Sequence, residues 1–358
     1  MANIVFITQS LSFGGAEKML CFVAESMAAR GHKVCIANLK GVNLATDYER
    51  TVSETIQVKE FSGLSRMEQI CGIRKFAKSV SADVIIGFTE IPNMLAKIVG
   101  VSLGIPSIMS ERGDPARTVG SGLKTKIAMK IINTSRGGVF QTGGAQAYYG
   151  KGLQKRGVVI PNPIFINREL PQVQYSEREK TVVSVGRLNN YQKRYDVMLD
   201  AFKLFAAKHP EYMLKLYGNG SDEQLIRSWV EERGLTDNVR FMGLTMQPMQ
   251  DICRDGMFLI TSDFEGISNA LLEAMAVGLP CVSTDHTPGG ARLLITDHEN
   301  GLLAPVEDPE ALAAAMCEFA EDPNLAAKCG DNAKDVVNRF APKRIIDMWE
   351  EYIFKIIQ

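Results

Sequence analysis

The chain runs twice through the same local pattern, and that repetition restricts the folds open to it. In each round a short apolar run leads into a loop and then into a segment with apolar residues at helical spacing. Strands that alternate with helices imply parallel sheets of βαβ units, because parallel neighbours need a crossover long enough to hold a helix. The first round opens with Asn3–Thr8, a Gly-containing loop over Ser12–Gly15, and Ala16–Arg30 with Leu20, Val23 and Met27 on one face, ended by Gly31. Further strands are predicted at Val34–Leu39, Asp83–Phe88, Ser107–Ser110, Val139–Gln141 and Val158–Ile160. The second round predicts strands at Thr181–Val185, Tyr212–Tyr217, Val239–Met242, Met257–Ser262, Pro280–Ser283 and near Gly301–Ala304. Its helices are Tyr195–Lys208, Asp222–Arg233, Ala270–Val277 and much of Pro309–Arg339. Between the rounds, Pro161–Lys180 carries three prolines and little periodicity, and reads as a linker.

At 358 residues the chain exceeds the ~250 that a single core usually serves. Residues 1–160 carry a net charge of +9 and the remainder −10, as two domains with different partners would. The expected architecture is α/β: two doubly wound domains facing a cleft, with ligands beyond the carboxyl ends of the strands. No uncharged apolar run reaches the ~18 residues of a membrane span. The opening MANIVFITQS lacks a charged leader and a cleavage site, so a cytoplasmic location is expected. The seven cysteines are scattered, without a CxxC pair, and read as buried apolar residues of a reducing compartment. The four histidines do not fall at metal-ligand spacing from them, so no metal and no cofactor are expected.

Four constellations sit at strand ends. Gly186-Arg187 follows Thr181–Val185, with Lys193 six residues further; two cations between a strand end and a helix start suit a diphosphate. Glu265 follows Met257–Ser262, and Glu273 stands eight positions later on the next helix. Between them Gly266, Ile267, Ser268, Asn269 and Ala270 turn into that helix, and their backbone N–H groups suit phosphate or sugar oxygens. Ser268 or Asn269 is the candidate cap. A carboxylate on an otherwise apolar helix needs a partner, and a ribose diol would give Glu273 two hydrogen bonds. Gly14 and Gly15 follow the first strand and permit close backbone approach; they do not form a dinucleotide fingerprint. Arg112 and Arg117, in and after Ser110-Glu111-Arg112-Gly113-Asp114-Pro115, are candidates for meeting an anionic or sugar acceptor. Each constellation taken singly also reads as an ordinary turn, cap or solvated loop.

Together these residues resemble the retaining glycosyltransferases of family 4, which have the GT-B fold of two Rossmann-like domains. The resemblance rests on Phe13-Gly14-Gly15-Ala16-Glu17, Ile160-Pro161-Asn162-Pro163, Gly186-Arg187-Leu188 with Lys193, Gly218-Asn219-Gly220, Phe241-Met242-Gly243, the Glu265/Glu273 pair, Glu273-Ala274-Met275-Ala276 and Gly278-Leu279-Pro280. It implies an acceptor-side domain over residues 1–163, a nucleotide-sugar domain over 164–344, and a final helix within 345–358 that packs back on the first domain. Arg187 and Lys193 would hold the donor diphosphate, Glu273 the ribose, and Glu265 would lie beside the sugar. The Gly266–Ala270 amides would meet sugar and phosphate oxygens, and the base would lie near Gly243. Many members carry His at the position of Arg112, where it contacts the donor sugar, so this departure bears on sugar identity.

The reading is a retaining transferase moving a hexose or N-acetylhexosamine from a nucleotide-diphosphate sugar, expected to be UDP-linked, in cell-surface polysaccharide synthesis. The expected acceptor is a polyprenyl-diphosphate-linked sugar, with peripheral contact to an anionic membrane and no nucleic-acid partner. The membrane expectation rests on nine Lys and Arg over residues 111–156 and on Ser121–Ile132 as an amphipathic helix with Leu123, Ile127 and Ile131 on one stripe. A GT-B epimerase and a catalytically inactive nucleotide-binding partner are the competing readings.

Overall fold

The computed structural model describes residues 1–11, 15–40, 52–120, 122–166, 169 and 172–358. It divides into two compact units, Met1–Asn162 with Pro342–Gln358, and Pro163–Ala341.

The first unit holds a parallel sheet of β1 (Asn3–Thr8), β2 (Lys33–Asn38), β3 (Gln57–Glu60), β4 (Val84–Phe88), β5 (Ser107–Glu111), β6 (Gly137–Phe140) and β7 (Gly157–Val159). Its spatial order is β3-β2-β1-β4-β5-β6-β7. Register is direct, with Ile4 opposite both Val34 and Val84. The central strands are apolar because helices cover both faces: Ile4 and Phe6 join one core layer, Val5 and Ile7 the other.

The second unit repeats the plan with β8 (Thr181–Val185), β9 (Met213–Tyr217), β10 (Val239–Gly243), β11 (Met257–Ile260), β12 (Cys281–Thr284) and β13 (Leu302–Ala304), ordered β10-β9-β8-β11-β12-β13. In both sheets the strand order reverses once, between β1 and β4 and between β8 and β11. Doubly wound sheets bind ligands at the carboxyl ends beside such a reversal.

The final helix, Pro342–Ile357, belongs to the first unit. Ile345, Trp349 and Ile353 are buried along one stripe, and Trp349 stacks on Phe88 with ring centroids 5.7 Å apart. Arg30 anchors the polar side through Asp347 and Glu350.

The α/β expectation agrees with the structure, and most strand bounds agree within two residues. Strand β3 is the omission: all four of its residues are exposed, so this edge strand carries no alternating apolar signal. Cys71 is a correction, since it is exposed while the other six cysteines are buried. Among the described residues no helix is long and apolar enough to cross a membrane. The basic helix spans Leu123–Ile132, and Ser121 lies outside the described residues. Ala128 and Ile132 form its buried side, Ile131 is half-buried, and Leu123 and Ile127 are 75% and 51% exposed.

Candidate active site

Loops from the two strands flanking the second reversal build the site, and backbone contacts tie them together. After β8 the chain passes Gly186–Asn189 into the short helix Asn190–Lys193, then through Arg194 at φ 52° into the helix Tyr195–Ala206. After β11 it passes Thr261–Ser268 into the helix Asn269–Ala276. The Asp263 N–H donates to Gln192 O at 3.0 Å, and Gln192 Nε2 donates to Phe264 O at 3.0 Å. Thr261 Oγ1 donates to Lys193 O at 2.8 Å. Arg194 closes the zip with Asp263 at 2.8 Å, and it also pairs with Asp196.

Lys193 and Glu265 meet inside this frame. Lys193 Nζ pairs with Glu265 Oε1, and both side chains are mostly buried. Burial pushes the Glu265 carboxyl up, but the Lys193 ammonium and the His286 ring outweigh it and hold the carboxyl below its ordinary range. Glu265 Oε2 is closed off from water and has no hydrogen-bond partner.

His286 was not foreseen in the sequence. It is buried, and its Nδ1 lies 3.4 Å from Thr287 O. A carbonyl only accepts, so Nδ1 carries the proton and Nε2 is left as an acceptor, without a partner. Burial lowers the imidazole pKa against the attraction of Glu265. The segment is held close because Glu265 N–H donates to Thr287 O at 2.8 Å. Gly290 is required there: a Cβ on it would stand 1.6 Å from Gly266 O.

Ser268 is the cap, its side chain accepting from the Leu271 N–H. Gly266, Ile267 and Ser268 are buried, and Asn269 and Ala270 half-buried. Glu273 is half-buried in the middle of the helix rather than at its start. Arg187 is exposed and makes no ion pair among the described residues. Gly243 ends β10 at φ 74°, and its carbonyl accepts from Gly218 N–H at 2.7 Å. Gly218 stands so close to the Gly186 carbonyl that a Cβ would approach it to 1.9 Å.

In the first unit, Gly15 begins the helix Gly15–Ala29 and is exposed; Gly14 lies outside the described residues. Arg112 follows β5, with Nη2 donating to Asn162 Oδ1, which also accepts from Gln141 Nε2 at 2.8 Å. Arg117 is exposed on the short helix Pro115–Thr118.

Away from these sites, His209, Cys317 and Glu321 place ligand-type atoms within 4.8 Å of one another. His209 lies three residues beyond the helix Tyr195–Ala206, while Cys317 and Glu321 lie on the helix Pro309–Glu321, a juxtaposition that linear spacing does not reveal.

Residues 166–336 match the family described as Glycosyl transferases group 1. An uncharacterized glycosyltransferase of Haemophilus influenzae is 24% identical over 356 residues, covering 96% of this chain and 98% of its own. The alpha-1,4-N-acetyl-D-galactosaminyltransferase of Campylobacter jejuni named for GalNAc-alpha-(1->4)-GalNAc-alpha-(1->3)-diNAcBac-PP-undecaprenol is 25% identical, covering 99% of each chain. The crystal structure of HepE from Anabaena in complex with UDP superposes with a TM-score of 0.84 at 19% identity, covering 99% of this chain and all of the other.

Proposed function

We propose, from the premise that this chain is a GT-B glycosyltransferase whose residues 166–336 belong to group 1, that it transfers a hexose or N-acetylhexosamine from a UDP-sugar with retention of anomeric configuration. The observation that carries this reading is the Lys193–Glu265 pair at the strand-order reversal of the second sheet. A fixed cation beside a buried carboxylate, bordered by the backbone of Gly266–Ala270, offers charge to a departing diphosphate and an acceptor to a sugar hydroxyl. Arg187 adds a second cation to the same loop. Fixed charge of this kind lowers the barrier because negative charge grows on the leaving group in the transition state. Glu273 takes the ribose, and the base lies near Gly243. No resident metal enters this scheme.

The acceptor in this reading is a polyprenyl-diphosphate-linked glycan of bacterial surface synthesis, reached from an anionic membrane face. Its support is the Campylobacter jejuni relative, whose name specifies a PP-undecaprenol glycan, and the exposed Leu123 and Ile127 among Lys124, Lys126 and Lys130.

The test is UDP release from a panel of UDP-hexoses and UDP-N-acetylhexosamines, with and without polyprenyl-diphosphate glycans extracted from membranes. Stimulation by the glycan and an NMR coupling constant matching the donor anomer are expected. Conversion of the donor without an acceptor product would make the chain an epimerase or hydrolase. Binding of UDP without turnover would make it an inactive partner.

A further inference from the structure

At the strand-order reversal of the first sheet, described residues that follow β1 and β4 and that end and follow β5 border a cavity of about 350 Å³. Gln9, Thr89, Glu90, Glu111 and Arg112 line it. Arg112 is anomalous. Its Nη2 is engaged by Asn162, but Nε and Nη1 are closed off from water and have no partner. Glu111 does not serve as its counter-ion at hydrogen-bond range. Glu111 Oε1 accepts from the backbone N–H of Arg112 at 2.9 Å and of Gly113 at 3.1 Å, and Oε2 accepts from Tyr149 Oη at 2.6 Å. A guanidinium taken out of water without a hydrogen-bonded anion is costly, and burial pulls its pKa down to about 9 against the attraction of nearby Glu111. Such a charge beside a cavity of small-molecule size, at the position where doubly wound sheets bind ligands, calls for an anion.

We propose that this cavity binds a carboxylate-bearing sugar, a uronic acid residue, through the Arg112 guanidinium. Two arguments favour a carboxylate over a phosphate. The planar fork of a guanidinium matches the two oxygens of a carboxylate edge. The other charged residues on the cavity wall, Glu90 and Glu111, are acids, so a dianion would meet them with one cation to balance two charges. A monoanion paired with the guanidinium adds less repulsion from those acids than a dianion would. Gln9 and Thr89 supply polar wall for sugar hydroxyls. Asn162, from the Ile160-Pro161-Asn162-Pro163 motif, holds Nη2 and so sets the orientation of the fork.

The inference rests on the reading of the chain as a sugar transferase and names the chemistry of one of its sugars. That sugar is either the donor's or a residue of the acceptor, and the two are separated by experiment. Calorimetric titration of the full chain with glucuronate, glucose and inorganic phosphate, each in the presence of saturating UDP, reads an acceptor site. Titration with UDP-glucuronate against UDP-glucose reads a donor site. A preference of at least tenfold for the acidic sugar is expected in one of the two arms. It should vanish in Arg112→Gln and be reduced in Arg112→Lys, which keeps the charge but not the fork. Equal binding of acidic and neutral sugars in both arms, no binding in either, tighter binding of phosphate than of glucuronate, or a preference that survives Arg112→Gln each overturns the proposal. The wild-type comparison decides even if a variant fails to fold. UDP release is measured separately from neutral and acidic sugar nucleotides alike: turnover without acidic preference removes this inference alone, and acidic preference without turnover of any of them removes the transferase reading.

Discussion

Lys193 and Glu265, seventy-two residues apart, form a mostly buried ion pair, Nζ to Oε1, that joins the loop after β8 to the loop after β11. Removing one member of such a pair strands the other charge, whereas removing both does not. Lys193→Ala and Glu265→Ala are each expected to destabilise the chain by about 1–3 kcal/mol. The double substitution should cost less than the sum of the two, by more than the ~0.5 kcal/mol expected of independent sites. Urea unfolding of the four proteins closes this cycle, and additive costs would mean that the pair does not couple the loops.

Arg187 provides the contrast. It is exposed and has no ion-pair partner among the described residues, so Arg187→Ala should leave the urea midpoint where it is. Turnover of the UDP-sugar should nevertheless fall on the order of 10²-fold, as when other charge-stabilising groups are removed. Unchanged kinetics with unchanged stability would leave Arg187 as a solvated surface residue.

In the proposed scheme Glu265 and Glu273 divide the work differently. The carboxylate of Glu265 stands beside Lys193, where the bond breaks in our scheme, so Glu265→Ala should lower kcat. A ribose contact is the same before and during reaction, so Glu273→Ala should raise the donor KM several-fold with a smaller effect on kcat. Matching kinetic signatures for the two variants would show that the assignment of roles is mistaken.

Acid should weaken the fold partly through His286. Burial lowers its pKa, so as pH falls below the unfolded value of ~6.5 the unfolded chain takes up a proton before the native chain does. The contribution is therefore complete above ~6.5 and is lost on acidification toward the folded value. Glu265, held low, adds a second loss only below ~4.3, the ordinary Glu value. Between pH 7.5 and 5.5 the wild type should lose more unfolding free energy than His286→Gln. Equal losses would mean that His286 titrates alike folded and unfolded.

The architecture was legible because parallel strands buried on both faces are short apolar runs, and most of those runs fall within two residues of the observed strands. Strand β3 was not, since an exposed polar edge carries no such signal. Of the second-unit candidate site, the strand-end positions of Arg187, Lys193, Glu265 and the Gly266–Ala270 turn were legible in the sequence. His286 was not, because the Phe264–Thr287 bridge that brings it to Glu265 is a tertiary contact between different loops. The coupling of Arg112 to Asn162 was hidden likewise, fifty residues apart in the chain.

The basic helix Leu123–Ile132 leads to the last prediction. Its core side is Ala128 and Ile132, while Leu123 and Ile127 stand exposed beside Lys124, Lys126 and Lys130. An exposed apolar pair flanked by lysines suits the boundary of an anionic bilayer, where each Lys contributes about 1 kcal/mol and shallow insertion adds apolar burial. The chain should co-sediment with vesicles containing phosphatidylglycerol and not with phosphatidylcholine alone. Binding should fall steeply as salt is raised, because exposed charges are screened within ~8 Å at physiological ionic strength. Replacing Leu123 and Ile127 together by Ser should weaken binding without lowering the melting temperature, since neither side chain is in the core. Replacing Lys124 and Lys130 by Gln should remove most of the salt dependence. Protein that stays in the supernatant with anionic vesicles at low salt would sink the membrane contact, and with it the reason to expect a lipid-linked acceptor from this face.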